Sequence, residues 1–186
     1  MRFLRKKSKS QTSPPSRNRN DYRYTAEDGS VWDSKYEHAV YTNLLAQNIL
    51  VDRGRRGPID TFPYFQYTKS GLCRDCGSTK VGKQRSYTPD LFRHTVRPES
   101  ENSRDQGYWI EVKGYIRAPE RSLLRSFVKE RPDVDLRFIF QRDFYVTKPT
   151  AKRPDGLRIT TWALRFLQAR SIVWDGKGKL TLPEGW

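Results

Sequence analysis

The sequence predicts an α/β domain, with α+β its nearest alternative, in which helices pack on a mixed sheet. Two observations predict it. Amphipathic and alternating stretches follow one another in the order helix, strand, strand, strand, helix, strand, helix, which suits a layered sheet rather than a bundle or barrel. The length of 186 residues supplies one core plus tails and falls short of two full domains.

Residues 1 to 20 are rich in Arg, Lys, Ser, Asn and Pro, and carry no acidic residue and no apolar anchor after Leu4. They read as a disordered basic arm, either a nucleic-acid contact or a solubilising tail. Residues 21 to 186 then form a single domain. A helix is expected from Ser34 to about Asn48, because Tyr36, Val40, Leu44 and Leu45 share one stripe with Ala39 beside it. Ser34 and Glu37 have the spacing of a capping box, which gives the Glu37 carboxylate an ordinary structural role. The run Arg53-Gly54-Arg55-Arg56-Gly57-Pro58 ends that element. Thr61 to Thr68 reads as an aromatic strand and Lys83 to Phe92 as the next, with a polar, Gly-rich excursion between them.

Tyr108 to Ile116 is a further strand. Pro119 suits an early helical position, and the stretch to Glu130 buries Leu123, Leu124, Phe127 and Val128 before Pro132 ends it. On its other side Arg117, Arg121, Arg125 and Lys129 recur every four residues, as a DNA-binding ridge or merely a solvated face. Asp135 to Gln141 alternates Leu136, Phe138 and Phe140 against Arg137, Ile139 and Gln141, as a strand does. A basic loop from Lys148 to Arg158 leads to a second helix, Thr161 to Ala169, with Trp162, Leu164, Phe166 and Leu167 as its apolar mass.

The chemistry lies in two short segments, Tyr87-Thr88-Pro89-Asp90 and Trp109-Ile110-Glu111-Val112-Lys113-Gly114. In a strand, Glu111 and Lys113 share one face while Ile110 and Val112 point to the other. Pro89 is tolerated at a strand start, edge or bulge, so a bend there brings the Asp90 carboxylate beside Glu111. Two such carboxylates, with the Val112 carbonyl, can hold Mg2+. Lys113 then faces an attacking water or a scissile phosphate. A Glu-x-Lys strand is also a common solvated face, and Thr-Pro-Asp a common turn.

In this order the residues resemble the PD-(D/E)xK nuclease superfamily, and within it the phage endonuclease I family of Holliday-junction resolving enzymes. The matching stretches are Ser34-Lys35-Tyr36-Glu37, Tyr87 to Phe92, Ile110 to Gly114, and Arg121 to Phe140, with Pro183-Glu184-Gly185-Trp186 a weak extension. The resemblance implies a restriction-endonuclease-like core, metal bound by Asp90 and Glu111, and Lys113 assisting the chemistry. It makes Glu37 a fourth catalytic carboxylate. It further implies an intertwined homodimer that exchanges N-terminal elements, so that Glu37 of one chain joins the Asp90, Glu111 and Lys113 of the other, and four-way junctions as substrate. The sequence departs from the family by insertions near residues 69 to 86 and 97 to 107, which bear on the exchange and on substrate choice.

Composition bounds the partners. Lys and Arg number 36 against 21 Asp and Glu, a formal net charge of +15, which favours polyanions. No stretch is long and apolar enough to span a bilayer and no signal-peptide pattern follows the basic N-terminus, so an intracellular protein without membrane partners is expected, in the host cytoplasm if phage-encoded. The two cysteines, Cys73 and Cys76, rule out a disulfide framework; they are candidate zinc ligands lacking a second pair, or unligated thiols of a hairpin. His38 and His94 are isolated and read as packing or surface residues. The functional expectation is a Mg2+-dependent endodeoxyribonuclease, with Mn2+ as substitute, acting on branched DNA. The alternatives are a catalytically silent nucleic-acid binder and a nuclease of the same superfamily, without branch preference, in repair or transposition.

Overall fold

The computed structural model describes residues 23–54, 60–67, 82–96, 106–152 and 154–186. Its elements in chain order are β1 (Tyr24–Thr25), β2 (Val31–Trp32), α1 (Lys35–Leu45), β3 (Val51–Arg53), β4 (Phe62–Tyr67), β5 (Gly82–Tyr87), β6 (Leu91–His94), β7 (Gly107–Lys113), α2 (Ala118–Glu130), β8 (Leu136–Phe140), β9 (Tyr145–Thr147), β10 (Leu157–Arg158), α3 (Ile159–Leu167) and β11 (Ser171–Val173). The expected basic arm, Cys73 and Cys76, and most of both insertions lie outside the described residues.

The fold is α/β. A mixed five-stranded sheet in the order β11-β8-β7-β6-β3 runs parallel from β11 through β7 and antiparallel from β7 through β3. The strand that carries Glu111 is central, and it is buried on both faces because helices cover both. On one face Phe92, Trp109, Phe138 and Phe140 pack against Leu124 and Phe127 of α2 and Ile159, Trp162 and Leu167 of α3. On the other, Leu91, Ile110, Val112 and Ile139 pack against Val40 and Leu44 of α1 and against Trp174, Leu180 and Trp186 of the C-terminal segment. The β4–β5 hairpin is a separate antiparallel pair that lays Phe62, Tyr64 and Tyr87 on Phe127.

Four expectations need correction. The strand expected from Lys83 to Phe92 is two strands that belong to different sheets. Thr88-Pro89-Asp90 separates them, since Pro89 has no N–H to give a ladder. The strand expected to reach Ile116 stops at Lys113, although Ile116 is fully buried beyond it. The α3 helix begins at Ile159, and its buried stripe is Ile159, Trp162, Ala163 and Leu167, which leaves Leu164 and Phe166 exposed. Leu45, expected on the α1 stripe, is exposed as well. The histidines fit their expected packing roles: His38 lies edge-on to Trp32, and His94 is buried with its Nε2 2.8 Å from Asp52 Oδ2.

The turn between β5 and β6 is held from β3. Gly54 N–H donates to the Asp90 carbonyl at 2.7 Å, and the backbones approach so closely that a Cβ on Gly54 would run into the Pro89 carbonyl. Backbone cannot rotate out of the way as a side chain does. Gly54→Ala is therefore expected to cost about 1–3 kcal/mol, as overpacking does, and to displace Asp90. Chemical denaturation checks the first effect, and an unchanged midpoint would show that the two segments are free to part.

Candidate active site

The site forms where two connected strands end. Antiparallel pairing sets Leu91 opposite Ile110 and Phe92 opposite Trp109, so Asp90 falls beside Glu111 just beyond the last pair. The Val112 N–H points toward the β6 side past the end of that strand, and it donates to Asp90 Oδ2 at 2.8 Å. An aspartate side chain thus takes a position that a ladder carbonyl would fill, which fixes its carboxylate. Within a strand the N–H and C=O of one residue point the same way, so the Val112 carbonyl also turns toward Asp90.

Glu111 and Lys113 project on one face, as period two requires, and Lys113 folds back over its neighbour. Its Nζ is 2.5 Å from Glu111 Oε1 and 3.6 Å from Asp90 Oδ2. Glu111 is the deepest of the three, with 3 % of its side chain exposed, while Lys113 is the most open at 26 %. The second oxygen, Glu111 Oε2, is buried without a hydrogen-bond partner. Tyr87, on the β5 side, is partly buried nearby with its hydroxyl enclosed, and the Glu111 and Asp90 charges add to burial in raising its phenol far above the usual range.

Glu37 enters the same cleft from α1. The Ser34 hydroxyl accepts the Glu37 N–H at 3.1 Å, so half of the capping box is made. The reciprocal half is not, because the Glu37 carboxylate turns inward and is buried. It lines, with Asp33, Ser34, Asp90, Val112, Lys113, Gly114, Tyr115, Arg117 and Glu120, a cleft of about 410 Å³. Glu37, Asp90 and Lys113 of one chain therefore meet without an exchanged partner. On the opposite wall Glu120 Oε2 accepts the Arg117 N–H at 2.7 Å and caps α2. The N-terminal ends of α1 and α2 both abut the cleft, bringing the positive ends of two helix dipoles to it.

Four carboxylates line the cleft against two cations, in a chain whose formal net charge is +15. The local sign is thus reversed, and proton affinities respond. Burial, then the Asp90 and Asp33 charges, push the Glu37 carboxyl up to about 8. Burial and Asp90 push Glu111 up to about 7, against the opposing pull of Lys113. Asp90 is raised by burial, with Lys113 and the Val112 N–H pulling it back in part. Burial alone would lower the Lys113 ammonium, but Asp90 and Glu111 outweigh it and hold the amine protonated.

Of the expected basic ridge, Arg117 reaches the cleft rim, and Arg125 and Lys129 are exposed along α2. Arg121 is instead half-buried and donates to the Ile116 carbonyl at 2.8 Å. Arg125 lies over the Phe166 ring, 5.0 Å from its centroid. Among the described residues no group of three or more His, Cys, Asp and Glu side chains gathers as a metal cage. The oxygen donors available to a cation are the Asp90 and Glu111 carboxylates and the Val112 carbonyl. Asp33, Tyr87, Tyr115 and Glu120 are site residues that sequence patterns do not single out. The one signal available for Glu120 was its spacing of three from Arg117 at a helix start.

Comparisons with protein families, with curated proteins and with solved structures find no match to this chain. The geometry of the cleft is therefore what bears on function. No described helix is long and apolar enough to cross a membrane.

Proposed function

We propose that the chain is a metal-dependent endodeoxyribonuclease that hydrolyses phosphodiester bonds with Glu37, Asp90, Glu111 and Lys113. The observation that carries this reading is the convergence of Glu37, Asp90 and Lys113, from three separate segments, on one acidic cleft of a strongly basic chain, with Glu111 buried directly behind it against Lys113. The donor set fits a hard divalent cation such as Mg2+ or Mn2+: two carboxylates, a carbonyl, a buried carboxylate oxygen without a partner, and negative charge that Lys113 alone does not balance. Such an ion, when bound, supplies a Lewis acid for the phosphate and lowers the pKa of a coordinated water.

The residues divide the remaining work. Lys113 is held protonated, so near neutrality it acts as a fixed positive charge toward the phosphate and not as a base. Glu37, with its carboxyl raised to about 8, exchanges a proton close to neutral pH and suits transfer to or from the water or the leaving oxygen. Arg117 and the two helix N-termini receive the anionic backbone at the cleft, while Arg125 and Lys129 extend positive charge along α2.

Branched DNA, such as a four-way junction cut by a homodimer, is the substrate form that the family resemblance implies. Glu37 lining the same cleft as Asp90 and Lys113 of its own chain supports cutting without exchange, with a dimer serving paired cuts. The test is incubation with a four-way junction, a linear duplex and a single strand in Mg2+ at moderate salt. Cleavage of the junction ahead of the other two supports the full proposal. Equal cleavage of linear duplex removes the branch preference, and no cleavage of any form removes the nuclease.

A further inference from the structure

We infer that Tyr115 is a stacking platform for an unpaired nucleobase beside the scissile phosphate. This rests on the nuclease reading and narrows its substrate to DNA in which a nucleotide at the cut is unpaired or readily extruded, as at a branch point. Tyr115 lies two residues beyond Lys113, lines the catalytic cleft, and is 60 % exposed. A scattered surface aromatic needs no explanation. This one is different because its ring is backed and its position is fixed at the mouth of a phosphate-directed site.

The backing is Phe144, whose ring centroid is 4.6 Å away at 39°. Phe144 is itself anchored, since its carbonyl accepts the Ile159 N–H at 2.9 Å. Its neighbour Asp143 accepts the Thr160 hydroxyl at 3.0 Å through Oδ1, and its carbonyl accepts from Arg158 at 2.6 Å. Arg158 also covers the next ring, Tyr145, at 3.9 Å. The brace is thus tied to the start of α3, and Tyr115 keeps one side against it and the rest of its surface open to solvent. A preorganised aromatic surface of that kind loses little entropy on stacking.

Arg117, two residues further on, lines the same rim and provides the phosphate partner that a nucleotide needs in addition to a stacking surface. Bases within a duplex already have both faces stacked, so only an unpaired or extruded base can use the ring. The occupant is therefore a nucleotide at a branch, flap, gap or single-stranded end.

The test measures binding without divalent metal and cleavage with Mg2+, for the wild type, Tyr115→Ala and Tyr115→Trp. The probes are a short oligothymidylate carrying one 2-aminopurine and a blunt duplex. Tyr115→Ala is expected to weaken oligothymidylate binding about tenfold, the size of one base–aromatic stack, and to abolish quenching of the 2-aminopurine. Tyr115→Trp is expected to retain both, and the duplex to lose much less affinity. Equal loss on both probes, or no loss on either, overturns the inference. Tyr115-dependent quenching without cleavage would sink the nuclease and leave the platform standing. Cleavage with Tyr115-independent binding would do the reverse.

Discussion

Glu111→Gln and Lys113→Ala are each expected to lower DNA cleavage about a thousandfold or more while leaving DNA affinity nearly unchanged. Glu111→Gln keeps the shape of the side chain and removes a charge that Lys113 approaches at 2.5 Å and that a cation would share with Asp90. Lys113→Ala removes the protonated amine nearest both carboxylates, and losing one preorganised electrostatic partner of a transition state costs roughly 100- to 1000-fold by itself. Neither variant is expected to unfold the chain. Burial already disfavours the Glu111 charge, so a neutral isostere is tolerated there, and Lys113 is partly open to solvent. Affinity should persist because phosphate contacts on a basic surface dominate it, and these lie along Arg117, Arg125 and Lys129. Single-turnover cleavage and salt-titrated binding on the same DNA separate the two effects. A variant that cut at the wild-type rate would show that the catalytic centre is elsewhere.

The second large effect joins metal to pH. The charged groups lining the cleft are Asp33 just before α1, Glu37 on α1, Asp90 and Lys113 at the strand ends, Arg117 just before α2 and Glu120 on α2, while Arg53 from β3, Tyr87 from β5 and the buried Glu111 couple to them electrostatically. A carboxyl raised in the fold contributes stability that is complete below its unfolded value of about 4.5 and is lost as pH rises through the folded value. For Glu111 and Glu37 the loss accumulates up to about 7 and about 8. Lys113 is raised above its ordinary value and remains charged in both states across this window, so it does not change the sign. The metal-free chain therefore loses this stability between about pH 4.5 and 8. A cation that binds the ionised carboxylates restores it, and at a hundred times its Kd adds about 2.7 kcal/mol, or roughly 5–10 °C in Tm for a domain of this size. Thermal unfolding with and without Mg2+ is expected to give that shift at pH 8 and little at pH 5, where binding must displace protons. Glu111→Gln should flatten the response, and a Mg2+ shift that grew toward low pH would contradict the donor set.

Much of the site could be read from the chain because its chemistry follows local periodicity. Glu111 and Lys113 share a face by the period-two rule. The bend at Pro89 brings Asp90 to them, although it ends one strand and starts another instead of bending a continuous one. Glu37 was ambiguous between cap and catalyst. Its N–H keeps the capping bond while its carboxylate turns into the cleft, a distinction of side-chain direction that spacing does not encode.

Asp33, Tyr87 and Tyr115 lie within four residues of Glu37, Asp90 and Lys113 respectively, but they follow no motif pattern, and the direction each side chain takes is set by packing that spacing does not encode. The C-terminal segment was missed as half of a core for the same reason. Trp174, Leu180 and Trp186 stand six residues apart, too sparsely for a helical stripe or a strand alternation, yet they cover one face of the sheet together with α1. In α3 the apolar residues exceed what one stripe of nine residues can bury, and the turn that packs on α2 and the sheet selects Trp162 over Leu164 and Phe166. Periodicity named the right helix there, but composition alone could not choose its face.

The most direct measurement is addition of Mg2+ to chelator-treated protein already bound to end-labelled DNA. Salt-dependent binding is expected before addition and strand cleavage only afterwards, with Mn2+ able to replace Mg2+. Tight, salt-sensitive binding with the DNA intact in either metal would contradict the nuclease reading and leave a nucleic-acid binding protein in its place.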